Sequence, residues 1–221
     1  MTIPTRNGRP SILLPDPSGH PAELRALRQW VGWTSEPPPM GGAAAWAKVP
    51  RDAETGGRAP TTNPATWATF EDGWAAYSRS QSAEAALSGL GFVFTSSDPY
   101  LCGDLDGIDR DGVLSDDAAE IVTALNSYTQ RSVGGNGVHV FVKAELPEGG
   151  RRRGNVEMHA EGGYFAMTGC VFPGQATDIN PRQGQVEALH ERLFGPRPNP
   201  IADAGNPTRF GSSSATHKEG S

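Results

Sequence analysis

Cysteine, lysine and long apolar runs are scarce in this 221-residue chain. Its two cysteines, Cys102 and Cys170, lie far apart and form no Cys-x-x-Cys pair. That argues against a structural zinc site or a disulfide framework and leaves buried, reduced thiols of a cytoplasmic protein as the expectation. Near the N-terminus the apolar run is Ile12-Leu-Leu14, too short for a signal peptide or a membrane span, so no membrane partner is expected. Lysine occurs three times, as Lys48, Lys143 and Lys218, and the net charge of −6 argues against coating nucleic acid by bulk charge. A local grip remains open, because charge distribution matters more than its sum.

Several chemical signatures are missing as well. There is no Gly-x4-Gly-Lys-Ser/Thr loop, which excludes a P-loop ATPase or helicase, and neither Gly-x-Ser-x-Gly nor His-Glu-x-x-His occurs. The acidic stretch from Asp104 to Gly112 resembles a calcium loop at a glance. Placing Gly112 at the loop's sixth position puts Gly107 at its first and Ala118 at its twelfth, while starting at Asp104 puts Ile108 at the fifth. Both registers lack required carboxylates.

What is present reads as a loop-rich globular protein, with 28 glycines, 19 prolines and 36% hydrophobic residues. Residues 1–20 are expected as a flexible N-terminal arm, 21–195 as the folded catalytic domain and 196–221 as a disordered tail or linker. Helices are expected over 21–30, 70–79, 116–126 and 185–194, the second started by Thr69 with Asp72 and the third capped by Ser115. A chain break is expected at 37–42. Strands are expected over 31–33, 46–50, 91–94, 100–106, 128–131, 138–144, 155–160 and 164–172, with 91–94 and 100–106 joined as a hairpin through 96–99. Helices and short strands come first and an antiparallel sheet follows, so the fold class is α+β.

Three polar interruptions of apolar strands carry the chemistry. They are Leu101-Cys-Gly-Asp-Leu-Asp106, Gly134-Gly-Asn-Gly-Val-His139 and Asn155-Val-Glu157-Met-His159. Residues two apart on a strand share a face, so Asp104 pairs with Asp106 and Glu157 with His159, while Leu105, Val156 and Met158 turn to the other side. Taken singly, each has a plain structural reading: a loop-capping Asp pair, a structural histidine, exposed strand positions. Together, on neighbouring strands, they suit two Mg²⁺ or Mn²⁺ ions held by oxygen ligands and acting on a phosphoryl group. The glycines before His139 would let backbone N–H groups approach a phosphate. Arg151, Arg152 and Arg153 form a basic turn suited to nucleic-acid phosphates or, equally, to solvent.

With those residues in view, the chain resembles the primase–polymerase domain at the N-terminus of many phage and plasmid replication proteins, in the archaeo-eukaryotic primase superfamily. The likeness covers residues 24–172. It runs through Gln29-Trp-Val-Gly-Trp33, Trp46-Ala-Lys-Val-Pro50, Arg58-Ala-Pro-Thr-Thr-Asn-Pro-Ala-Thr-Trp67 and Gly89-Leu-Gly-Phe-Val-Phe94. It continues through the Asp104/Asp106 pair, Tyr128-Thr-Gln-Arg-Ser132, Gly135-Asn-Gly-Val-His139, Val156-Glu157-Met and Phe165-Ala-Met-Thr-Gly169.

The resemblance implies an N-terminal α/β module plus an RRM-like antiparallel sheet module. It implies Asp104, Asp106 and Glu157 as ligands of two divalent metals, and His139 as a contact to the incoming nucleotide's phosphates. Lys48, Arg131, Ser132, Gly135 and Gly137 join His139 in the phosphate-binding set. Three positions depart from the family pattern: Ser132 is followed by Val133-Gly134 rather than Pro-Ser-Gly, Gln130 replaces a frequent Glu, and His159 replaces an aromatic residue.

The implied activity is template-directed nucleotidyl transfer from NTPs or dNTPs in DNA replication. DNA template and primer would be partners, and so would a separate replicative helicase, since the helicase that usually follows in the family is not in this chain. Two other readings stand beside it: a catalytically inactive nucleic-acid-binding replication module, and a metal-dependent nuclease using the same carboxylates.

Overall fold

The computed structural model describes residues 2–3, 10–37, 46–83, 86–107 and 112–195. Most of the expected break at 37–42, part of the acidic stretch before Gly112, Lys218 and the tail 196–221 lie outside the described residues.

The elements run β1 Thr2–Ile3, β2 Ile12–Leu13, α1 Ala22–Arg25, β3 Trp30–Glu36, β4 Ala47–Arg51, α2 Phe70–Ser80 and β5 Gly89–Val93. They continue with β6 Tyr100–Asp106, α3 Asp116–Leu125, β7 Thr129–Arg131, β8 Gly137–Lys143, β9 Arg152–Arg153, β10 Val156–His159, β11 Tyr164–Met167 and α4 Gln183–Phe194. The result is α+β with two larger antiparallel sheets. One has the order β11-β5-β3-β4, the other β7-β8-β6-β10-β9, and β1-β2 forms a separate ribbon.

Local chemistry starts the helices where the sequence places them. Thr69 caps α2 by accepting from the Asp72 amide at 3.1 Å, and its hydroxyl donates to the Asp72 carboxylate at 2.8 Å. Ser115 accepts from the Ala118 amide to cap α3, which ends at Asn126 in the left-handed region at φ 35°. Arg182 closes that same end, its guanidinium donating to the carbonyls of Leu125 (2.6 Å) and Asn126 (2.9 Å).

The two largest of four apolar clusters among the described residues position the sheets. Trp30, Phe92, Phe94, Tyr128, Phe141 and Met167 join the two sheets, with Phe70 and Tyr77 of α2. On the other face of the second sheet, Leu105, Val138, Val140 and Met158 pack with Ile121 and Leu125 of α3 and with Val186 and Leu189 of α4.

Four expectations change. The first helix is confined to Ala22–Arg25, because Trp30 enters a strand; its indole is fully buried and donates to the Leu24 carbonyl at 2.9 Å. The hairpin through 96–99 does not form. β5 already has β3 and β11 on its two edges, so β6 begins the other sheet. Asp98 shapes the crossing turn, its Oδ2 accepting from Thr95 N (2.8 Å) and Gln29 Nε2 (2.7 Å).

The strand at 164–167 leaves the second sheet and pairs with β5, so the two sheets are not the two halves of the chain. Residues 10–20 are held rather than loose. Leu13 N donates to Val133 O (2.9 Å), Asp16 N to Thr168 O (2.7 Å), and Ile12 is buried. Among the described residues no helix is long and apolar enough to cross a membrane.

Candidate functional site

The second sheet sets five polar side chains in one row, one from each strand. Gln130 lies opposite His139, His139 opposite Asp104, Asp104 opposite Glu157, and Glu157 opposite Arg152. Directly paired residues share a face, so all five project to the same side. One step along the same face, Asp106 lies opposite Gly137. The row exists because alternate residues (Leu105, Val138, Met158) turn into the core under α3 and α4.

A cleft of about 430 Å³ opens beside this row and includes Lys48, Asp104, His139, Glu157, His159 and Phe165 in its lining. Lys48 comes from β4 and Phe165 from β11, so the cleft lies between the sheets. The Phe165 ring stands edge-on to both His139 (5.4 Å) and His159 (5.1 Å).

Burial dominates the electrostatics. It raises the Asp104 pKa above the ordinary carboxylate value, a shift that the charges of Lys48 and His159 partly offset. Burial, reinforced by Lys48, pushes His139 down to about 3. His139 is therefore neutral near pH 7, and its Nε2, 3.5 Å from Asp104 Oδ1, makes a polar approach rather than an ion pair. Asp104 Oδ1 is itself buried and has no hydrogen-bond partner. Glu157 is engaged on both oxygens, by His159 Nε2 at 3.3 Å and Arg152 Nη1 at 3.5 Å. Among the described residues, no three His, Cys, Asp or Glu side chains are already gathered so as to hold a metal ion.

The remaining expected site residues divide. Gly137 must lack a side chain: a Cβ there would sit 2.7 Å from the Leu105 carbonyl oxygen and 3.4 Å from Asp106 Oδ1. Gly135 turns at φ 76°, and its amide donates to the Ser132 carbonyl at 2.9 Å, so that amide closes the turn instead of facing a ligand. Ser132 is buried beside Gly137.

Arg131 pairs with Val138 and so takes the face opposite Gln130. Its guanidinium stacks 5.0 Å over Phe172 and donates to Gly112 O at 3.5 Å, away from the cleft. The three arginines do not form one turn. Arg152 stands in the polar row, Arg153 donates to the Leu193 carbonyl of α4, and Arg151 lines a separate groove with Lys143 and Glu145.

Sequence reasoning missed Phe165 and the part played by Gln130. Both lie on strands whose phase shows only when the partners are known.

No family model matches the chain. Over 160 residues the chain is 30% identical to a DNA primase-polymerase of Nitratiruptor phage NrS-1, an alignment covering 69% of this chain. That alignment spans 20% of the phage protein's length.

Proposed function

Since this chain is homologous to part of a phage DNA primase-polymerase, we propose that it is the catalytic core of a DNA primase/polymerase. The reaction joins a primer or initiating 3′-oxygen to the α-phosphorus of an NTP or dNTP and releases pyrophosphate. The observation that carries the reading is the position of Asp104 between His139 and Glu157, with Asp106 on the same face. The order β10-β6-β8-β7, with α3 between β6 and β7 in the chain, supports an RRM-like second sheet. The second helix departs from that pattern, since α4 follows β11 instead of leading into β10.

The donor set fits divalent metal. Asp104, Asp106 and Glu157 offer only oxygens, and the unpartnered, buried Asp104 Oδ1 is an acceptor waiting for a cation. In this reading these three residues would hold two Mg²⁺ or Mn²⁺ ions, which would supply activation of the attacking hydroxyl and neutralisation of charge on the leaving pyrophosphate. His139 donates from Nε2 to a phosphate oxygen. Lys48 faces the polyphosphate from the opposite sheet, and Phe165 supplies an apolar wall. Glu157 would have to give up its contacts with Arg152 and His159 to serve as a ligand.

A second reading has one observation in its favour. Glu157 already has a neighbour on each oxygen, Arg152 and His159, as suits a module that binds DNA without turnover. Incubation with a primed template, dNTPs and Mg²⁺ or Mn²⁺ separates the two. Metal-dependent extension lost in the Asp104→Ala/Asp106→Ala double variant is expected. DNA binding without extension by the wild-type chain selects the non-catalytic module.

A further inference from the structure

We propose that Gln130 is a positioning residue that locks His139 in the tautomer carrying its proton on Nε2, so that the ring offers one N–H donor to the cleft. The consequence for catalysis rests on the nucleotide-binding reading above; the tautomer itself follows from hydrogen-bond geometry.

Gln130 is fully buried and lies opposite His139 on the neighbouring strand. Its Oε1 accepts from the backbone amides of Thr168 and Gly169, both at 3.1 Å, and from the Tyr128 hydroxyl at 3.0 Å. Backbone amides can only donate, so the oxygen end of the side chain is fixed there; a flipped amide would set its NH₂ against two N–H groups. Nε2 is thereby turned the other way, to 3.4 Å from His139 Nδ1, 3.4 Å from Ala166 O and 3.6 Å from the Met167 sulfur.

An amide nitrogen also only donates, so His139 Nδ1 must present a lone pair. The other side of the ring agrees. Nε2 faces a carboxylate oxygen, Asp104 Oδ1, at 3.5 Å, where a proton is wanted. Phe141 and Phe165 stand edge-on to the imidazole at 6.4 and 5.4 Å and restrict its rotation. His139 thus meets an anionic oxygen as a neutral donor of fixed direction.

A carboxylate at position 130 would reverse this. One oxygen of Glu would keep the two backbone amides and the other would accept from Nδ1, drawing a proton to that nitrogen. Long-range ¹H–¹⁵N spectra of the ¹⁵N-histidine-labelled chain, without metal or nucleotide and at neutral pH, read the ring state directly, with His139→Gln identifying the signal. The wild type is expected to show Nδ1 bare and Nε2 protonated, Gln130→Glu to show Nδ1 protonated, and Gln130→Met combined with Asp104→Ala, which leaves neither neighbour to select a tautomer, to give a mixture where Asp104→Ala alone keeps the wild-type pattern. A wild-type ring protonated on Nδ1, Gln130→Glu keeping the wild-type pattern, or Asp104→Ala alone losing it, overturns the proposal. If Gln130→Glu does not fold, the wild type and the Asp104→Ala pair still decide. A correct tautomer in a chain without extension activity would sink the polymerase reading and leave this one standing.

Discussion

Asp104 and Glu157 face each other directly across β6 and β10, two carboxylates opposed at the centre of a five-strand row. Like charges in that position destabilise a sheet, and burial adds to the cost at Asp104. Arg152 and His159 partly screen Glu157. Removing one carboxylate therefore relaxes the metal-free fold. Asp104→Asn is expected to raise metal-free stability by about 1 kcal/mol, roughly 2–4 °C in Tm for a chain of this size. A rise in Tm with Mn²⁺ is expected of the wild type and not of Asp104→Asn. Calorimetry with and without Mn²⁺ measures both; a less stable Asp104→Asn would show that the carboxylate is structurally paired after all.

Two buried histidines set the acid side of the stability curve. His20 lies edge-on to Trp30 (5.3 Å) and Phe70 (5.2 Å), neither of its nitrogens has a partner, and burial pushes it down to about 4. His139 is pushed to about 3. Unfolded histidine titrates near 6.5, so below that pH the unfolded chain takes up protons that the folded chain refuses. Stability is then lost as pH falls from 6.5 towards 4 and 3. At pH 5 each histidine costs about 2 kcal/mol. Asp104 works in the opposite sense, because its raised pKa means that acidification above 3.8 relieves it. His20→Leu, which exchanges two unpaired buried nitrogens for an apolar group, should leave stability at pH 7 equal or higher. It should also remove about half of the drop between pH 7 and 5 in urea unfolding. An unchanged drop would exonerate His20.

Gly137 couples the turn before His139 to Asp106. Its missing side chain lets the Leu105 carbonyl oxygen come within 2.7 Å of where a Cβ would stand. Gly137→Ala must part β6 from β8 at the carboxylate end, at a cost of about 1–3 kcal/mol. Since Asp106 Oδ1 lies 3.4 Å from the same point, extension activity and the Mn²⁺-induced rise in Tm should fall together although no carboxylate is changed. Full activity in a folded Gly137→Ala would detach Asp106 from the site.

Local features were readable in the chain and long-range pairing was not. Thr69 with Asp72 and Ser115 announce α2 and α3 because a cap is a contact within three residues. Alternation likewise put Asp104 with Asp106 and Glu157 with His159 on one face. The partner of Tyr164–Met167 is set by a free edge of β5, far back in the sequence, so nothing local tells which sheet it joins. Gln130 and Arg131 illustrate the same limit. Both are polar and adjacent, and only the pairing of β7 with β8 turns the amide towards His139 and the guanidinium away.

The three consecutive arginines should separate by experiment, because the structure sends them to different neighbours. Arg152 stands in the polar row beside the cleft, and Arg151 lines the groove with Lys143 and Glu145. Either could meet nucleic-acid phosphate. Arg153 is tied to the Leu193 carbonyl at the end of α4, so its work is structural. Each phosphate contact contributes about 0.9 to the slope of log K against log salt. Arg151→Ala and Arg152→Ala are each expected to lower that slope by about 1 for a labelled primer–template followed by fluorescence anisotropy. Arg153→Ala should leave the slope unchanged and cost about 0.5–1.5 kcal/mol of stability through the lost hydrogen bond. An equal loss of slope in all three variants would restore the single basic patch that the sequence suggests and contradict the divergence seen over residues 151–153.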